Sequence, residues 1–218
     1  MTKLADLGFQ KGVIVETVVS TYNADGTLNA APMGVTMENA QQVTIRLFTT
    51  SSTYKNLKTK KCAVINVTCD IDVFYRTAFK ETNLKSTVPP EWFEKAETVE
   101  SPRLRRADAF IEVSVADIKP LVDEKAEAFC DVKLVKASTG NLPKAYCRAF
   151  SATLEAIIHA TRVKKFLSGS KEQQKQAMKL LETIGNCRDI VNRVAPNSCY
   201  SEIMTDLDKM IISWESKT

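Results

Sequence analysis

The densest set of polar side chains in this sequence lies in RLFTTSSTYKNLKTKKCAVINVT, Arg46 to Thr68. Thr49, Thr50, Ser51, Ser52 and Thr53 are five consecutive hydroxyl residues, preceded by Arg46 and followed by Tyr54, Lys55 and Asn56. The run ending at Phe48 reads as a strand and the run after Ser52 as a helix, so the segment predicts a strand-to-helix corner. Such a corner suits phosphate: N–H groups at a helix start point outward, hydroxyls donate, and Lys or Arg supplies charge. A Ser/Thr-rich run also makes a plain loop that ends in a helix N-cap, and the residues alone leave both readings open.

Just upstream, TYNADGTLNAAPMGVTM (Thr21 to Met37) predicts a hairpin with Asp25-Gly26 in its turn. The returning strand is unusual. Asn29, Ala30, Ala31, Pro32, Met33 and Gly34 offer little bulk to a core, and Pro32 has no N–H to donate. Such a strand lets a flat ligand lie close to bare main chain, whose polar groups then read its edge; it would equally serve a barrel corner or an edge strand. Together the small-residue strand and the hydroxyl-rich corner point to a planar ring with a phosphate tail, the shape of flavin mononucleotide (FMN).

Other reactive groups are sparse. His159 is the one histidine, with Glu155 four residues before it and Arg162 three after, so carboxylate and imidazole share a helix face. His159 and Arg162 could reach a ligand or an anionic substrate, or satisfy a helix–helix contact. With no nucleophile nearby they form no hydrolytic triad, and no catalytic residue is assigned. Glu16 is an acid on an otherwise apolar strand and could pair with an arginine or meet the ligand. The six cysteines are widely spaced without a Cys-x-x-Cys pattern, which argues against structural zinc and implies no metal.

The elements that must position these groups change character along the chain. GVIVETVVSTY, the strand containing APMGVTM, QVTIRLFT, CAVINVTC, DVFYRTAF, AFIEVSVADI and AFCDVKLVKAS read as short strands. VPPEWFEKAET is expected to form a short helix after Pro89-Pro90. Many strands with short connections favour a closed barrel or sandwich. From Pro143 the period is helical. Phe150, Leu154, Ile157, Ile158 and Phe166 mark one helix face, followed by a Ser170/Gln173 capping box. A second helix carries Met178, Leu181, Ile184, Ile190 and Val191, and a third Ile203, Leu207, Met210, Ile211 and Trp214. The expected organisation is a β-barrel domain over residues 1–140 and a three-helix subdomain over 141–218.

A net charge of +4 with dispersed basic residues excludes an obvious nucleic-acid surface; the short clusters around Lys58, Arg103 and Lys164 read as solvated. With 7% aromatic residues and no basic–aromatic interleaving, an oligonucleotide-binding barrel is also disfavoured. No run approaches the roughly 20 apolar residues of a membrane span. The first residues lack the pattern of a secretory signal, so a cytoplasmic protein is expected.

The segments IVETVVST…DGTLNAAPMGV, RLFTTSSTYKNL and AVINVT resemble the flavin-reductase-like FMN-binding split-barrel superfamily. Within it the chain resembles a largely archaeal domain-of-unknown-function family with a helical C-terminus, EAIIHATRV matching that family's second signature. The resemblance implies an α+β, mainly β fold: a six-stranded Greek-key split barrel followed by a helical subdomain. It further implies a homodimer with non-covalent FMN near its interface. Met33, Gly34 and Val35 would lie along the ring, and Arg46, Leu47 and Phe48 would line the next strand. Thr49, Thr50, Ser51, Thr53, Tyr54 and Asn56 would approach the ribityl chain and phosphate, and Asn66 would sit near the ring. The implied function is an oxidoreductase that moves hydride or electrons between a small-molecule donor and acceptor. The alternatives are a non-catalytic flavin carrier, storage protein or sensor, and a cofactor-free interaction module.

Overall fold

A β-branched run before the Asp25-Gly26 turn and the small-residue run after it set the first ladder. β1 (Ile14–Tyr22) pairs antiparallel with β2 (Leu28–Asn39), from Ile14 opposite Thr36 to Tyr22 opposite Leu28. Gly26 takes φ 82°, a conformation that suits glycine, and its N–H donates to the Asn23 carbonyl. β3 (Gln42–Phe48), β4 (Cys62–Val67), β7 (Ala109–Pro120) and β8 (Lys125–Ala137) complete a closed barrel in the order β1-β2-β3-β8-β7-β4. This is the six-stranded Greek-key barrel that the sequence implies. The structure, a computed structural model, describes residues 2–79, 88–137 and 143–216. It divides into two units, Met1–Tyr146 with the barrel and Cys147–Thr218 with the helices.

The barrel's connections matter more than its core. Helix α1 (Ser52–Lys60) joins β3 to β4 and ends at Lys61, which adopts the left-handed conformation at φ 55°. Between β4 and β7 lie α2 (Ile71–Ala78) and a small hairpin of β5 (Phe93–Lys95) with β6 (Pro102–Leu104). This insertion packs Val73, Phe93, Leu104 and Ala107 onto Val18 and Ala30. That explains why β1 is buried over most of its length on both faces. Glu112 on β7 is buried and accepts from the N–H groups of Glu97 and Thr98 and from the Thr98 hydroxyl, so a carboxylate holds the loop after β5 in place.

Two expected elements differ. DVFYRTAF is a helix, not a strand. The Asp70 carboxylate caps it by accepting from the Asp72 N–H at 3.0 Å, Arg76 pairs with Asp72 one turn away, and Val73 and Thr77 are buried at helical spacing. VPPEWFEKAET makes only a single 3-10 turn at Pro90–Trp92 before Phe93 enters β5. The arginine cluster is not merely solvated either. Arg103 lies over the Phe110 ring and pairs with Glu94 and Glu97, while Arg106 lies over Trp92 and pairs with Asp70 and Asp72.

In the C-terminal unit, α3 (Arg148–Phe166), α4 (Lys171–Val194) and α5 (Cys199–Glu215) pack together, α3 meeting both others. Ser170 and Gln173 form the expected capping box on α4. The inward face of α3 is the small one: Ala149, Ala152, Ala156, Ala160 and Val163 are buried. Phe150, Leu154, Ile157 and Ile158, the apolar face that the helical period marks, are exposed, Phe150 by 58%. Alanines let helix axes approach closely, so the bulkier stripe is excluded from the contact. On α4 Met178 is likewise exposed while Ala177, Ile184, Cys187, Val191 and Val194 are buried; on α5 the buried residues are Met204, Leu207 and Ile211.

Candidate functional site

The β2–β3 ladder runs only from Val35 opposite Ile45 to Asn39 opposite Gln42. Towards Leu28, β2 keeps its ladder to β1 but has no strand on its other side among the described residues. The main chain of Ala31–Gly34 therefore forms an open edge inside an otherwise closed barrel. Pro32 is tolerated there because no β3 ladder exists for its missing N–H to break. The open stretch coincides with the small-residue segment and ends where β3 turns into α1.

That helix is anchored from beneath. Asn56 is buried and donates to the Thr21 hydroxyl at 2.9 Å and to the Asn23 side-chain oxygen at 2.8 Å. Thr53 is buried and its hydroxyl accepts from the Asn29 amide at 3.1 Å. Ser51 is the N-cap: its hydroxyl accepts from the Tyr54 N–H and donates to the Phe48 carbonyl. Thr49 is also committed, its N–H and hydroxyl both donating to the Glu124 carbonyl in the β7–β8 turn. What remains for a ligand is a smaller set. The N–H groups of Ser52 and Thr53 have no partner among the described residues, and Thr50, Ser52 and Lys55 are exposed. Tyr54 is half-buried, with the Lys58 ammonium 5.6 Å from its ring centre. Ser52 and Lys55 stand outside the set that the family resemblance implies, although both flank it in the sequence.

Other expected residues fall in three places. Gly34 opposes Glu16 across the β1–β2 pair, so both occupy one face, and Met33, half-buried, accepts at its carbonyl from the Thr17 hydroxyl at 3.0 Å. Val35 and Leu47 point into the barrel core, whereas Arg46 and Phe48 alternate outward, Arg46 paired with Glu127 at 3.1 Å. Asn66 is fully buried. Its amide donates to the Val18 carbonyl and the Ser20 hydroxyl and its oxygen accepts from the Leu104 N–H, so it joins β1, β4 and β6 and presents no atom to a ligand. A Cβ placed on Gly34 would come within 2.8 Å of the Ile14 side chain, so the space beside this glycine is already used by β1. In the helical unit, the His159 Nε2 lies 3.1 Å from the Glu155 carboxylate and its Nδ1 is buried without a partner among the described residues.

The family model described as "protein of unknown function (DUF447) N-terminal domain" matches residues 15–154. Among solved structures, an FMN-bound protein of the same family from Methanosarcina mazei is 26% identical, with a TM-score of 0.54 over 94% of this chain and 98% of that one. Flavoredoxin of Desulfovibrio vulgaris is 14% identical with a TM-score of 0.51, covering 61% of this chain and 76% of its own. The styrene monooxygenase flavin reductase of Pseudomonas putida is 13% identical with a TM-score of 0.50, covering 62% of this chain and 85% of its own. The last two share the barrel fold. As the family model spans more than half of its length, the chain belongs to the DUF447 family.

Proposed function

We propose that this protein binds FMN where β2 parts from β3 and moves hydride or electrons between a small-molecule donor and acceptor. The observation that carries the reading is the open main-chain edge of Ala31–Gly34 ending beside a helix start with two uncommitted N–H groups. The FMN-bound family member from Methanosarcina mazei supports the same ligand. The residues fit it: the Ser52 and Thr53 N–H groups, the Thr50 and Ser52 hydroxyls and the Lys55 ammonium would hold the phosphate. The main chain of Ala31–Gly34 would read the ring's polar edge, with Glu16 on the neighbouring position. FMN, when bound, supplies the hydride and single-electron chemistry, and the chain supplies placement. A non-catalytic carrier, storage protein or sensor with the same pocket is the second reading; the oxidoreductase needs no acid–base pair of the chain, since the cofactor supplies the chemistry.

Titration with FMN and riboflavin tests the site. The variant Ser52→Ala/Lys55→Ala is expected to weaken FMN about tenfold or more and riboflavin little, since only FMN carries the phosphate. Equal losses for both would remove the phosphate corner. Rapid anaerobic reduction of the bound flavin by NAD(P)H, with turnover on an acceptor, separates an oxidoreductase from a carrier. A homodimer is part of the proposal: Phe48, Leu121 and Val122 are exposed at the same end of the β3–β8–β7 sheet as the corner, and a second copy would cover them. Light scattering that gives a single-chain particle would refute that part.

A further inference from the structure

A cleft of about 450 Å³ opens between the β1–β2 turn and the segment leading into β5. Leu28, Ala30, Val88, Pro90 and Phe93 line it, with Thr27 at the hairpin end. Its volume falls in the range of small-molecule sites, roughly 300–1,000 Å³, and is small for a protein segment. Ala30 and Phe93 belong to the core cluster behind it, so its floor is fixed, while Leu28 at the mouth is 37% exposed.

The charge around the cleft selects its occupant. Among the described residues no lysine or arginine lines it, so none of them would hold the phosphates of a dinucleotide. The nearest charge in the hairpin is Asp25, an anion, which would repel another. Thr27, the one polar side chain in the lining among the described residues, is already committed: its hydroxyl donates to Asp25 at 2.6 Å and accepts from the Asn23 amide at 2.9 Å. Among the described residues a ligand therefore meets an apolar wall with no vacant side-chain partner, next in sequence to the Asp25 carboxylate. Leu28, Ala30, Pro32 and Gly34 share one face of β2 by its two-residue period, so the cleft begins about 7 Å along the strand from Pro32. It is the neighbour of the open edge.

We propose that this cleft is a second binding site, one for an uncharged, apolar molecule of about the size of two or three fused or linked rings. The cleft's lining does not depend on flavin, so the site can be tested in flavin-free protein. The uncharged fluorescent probe N-phenylnaphthylamine is titrated against wild type, Leu28→Glu and Pro90→Glu, beside its sulfonated analogue anilinonaphthalene sulfonate. Both substituted positions are exposed, and circular dichroism checks that each variant folds. Saturable binding of the uncharged probe is expected, with the sulfonate and both variants weaker by about tenfold or more, because a charge is costly beside an apolar wall. FMN titration of the same variants is expected to match wild type. A probe that fails to bind, that binds both variants like wild type, or that binds no better than its sulfonate overturns the proposal. Loss of FMN binding in wild type would instead refute the flavin reading and leave the cleft standing.

Discussion

Glycine at position 34 has two physical explanations, and a mutant cycle separates them. A Cβ there meets the Ile14 side chain at 2.8 Å, closer than atoms pack, so Gly34→Ala is expected to destabilise the protein by about 1–3 kcal/mol through overpacking. Ile14→Ala removes the opposing methyl. The double variant should then be more stable than the sum of the single losses, measured by urea denaturation. If Gly34→Ala leaves stability unchanged and weakens only FMN, the glycine serves the ligand rather than the strand pair. Cysteine chemistry is also decided residue by residue. Burial pushes the Cys130 thiol up to about 12 and raises Cys62 and Cys187 as well, whereas Cys69 and Cys199 are exposed. Iodoacetamide at neutral pH should label Cys69 and Cys199 first and Cys130 only on unfolding; early modification of Cys130, read by peptide mass spectrometry, would contradict its burial.

Among the elements, α1 and α3 show how a sequence pattern can be right about a helix and wrong about what its side chains do. Thr53 and Asn56 stand in the hydroxyl-rich run that reads as a phosphate site, yet both are turned inward to tie α1 to β1, β2 and the hairpin. For α3, the large apolar residues do mark one helix face, but the buried face is made mainly of alanines. Ala156 is fully buried. Ala156→Leu is expected to force α3 from its neighbours and destabilise the helical unit by about 1–3 kcal/mol. Leu154→Gln, on the exposed stripe, should change stability by about 0.5 kcal/mol or less if that stripe stays in water. Chemical denaturation followed by circular dichroism compares them, and the opposite order would mean that the stripe is the packed face.

At the scale of the whole molecule, stability should form a plateau across neutral pH. Hydrogen bonds from Thr27 to Asp25, from Arg76 to Asp72 and from Lys136 to Glu97 hold these carboxyls below their usual values. A lowered folded value stabilises above the unfolded pKa near about 4, and that contribution is lost as pH falls through the folded value. The buried thiols act in the opposite direction. Their raised folded values mean that the unfolded chain releases protons first above about 8.5, so stability declines from there as pH rises. Melting temperature against pH is thus expected to be level from about 5 to 8 and to fall on both sides. A continued rise in stability above pH 9 would contradict the thiol burial. No helix among the described residues is long and apolar enough to cross a membrane.

Local chemistry along the chain was enough to determine the strand runs of the barrel, the Asp25-Gly26 turn, the Ser170/Gln173 box and the small-residue strand beside a hydroxyl corner. Each depends on neighbours within a few residues, so each is readable in one dimension. The helical nature of DVFYRTAF was present too, in Asp70 and the Asp72–Arg76 spacing, but its aromatic and β-branched content outweighed that signal in a strand-rich region. Which side chains face a ligand is another matter. It depends on where β2 and β3 part and on partners that lie 24 to 48 positions apart, as for Asn29 with Thr53 and Asn66 with Val18. A hydroxyl or amide has the same letter whether it is spent on the fold or kept for a ligand, and only tertiary contacts decide which.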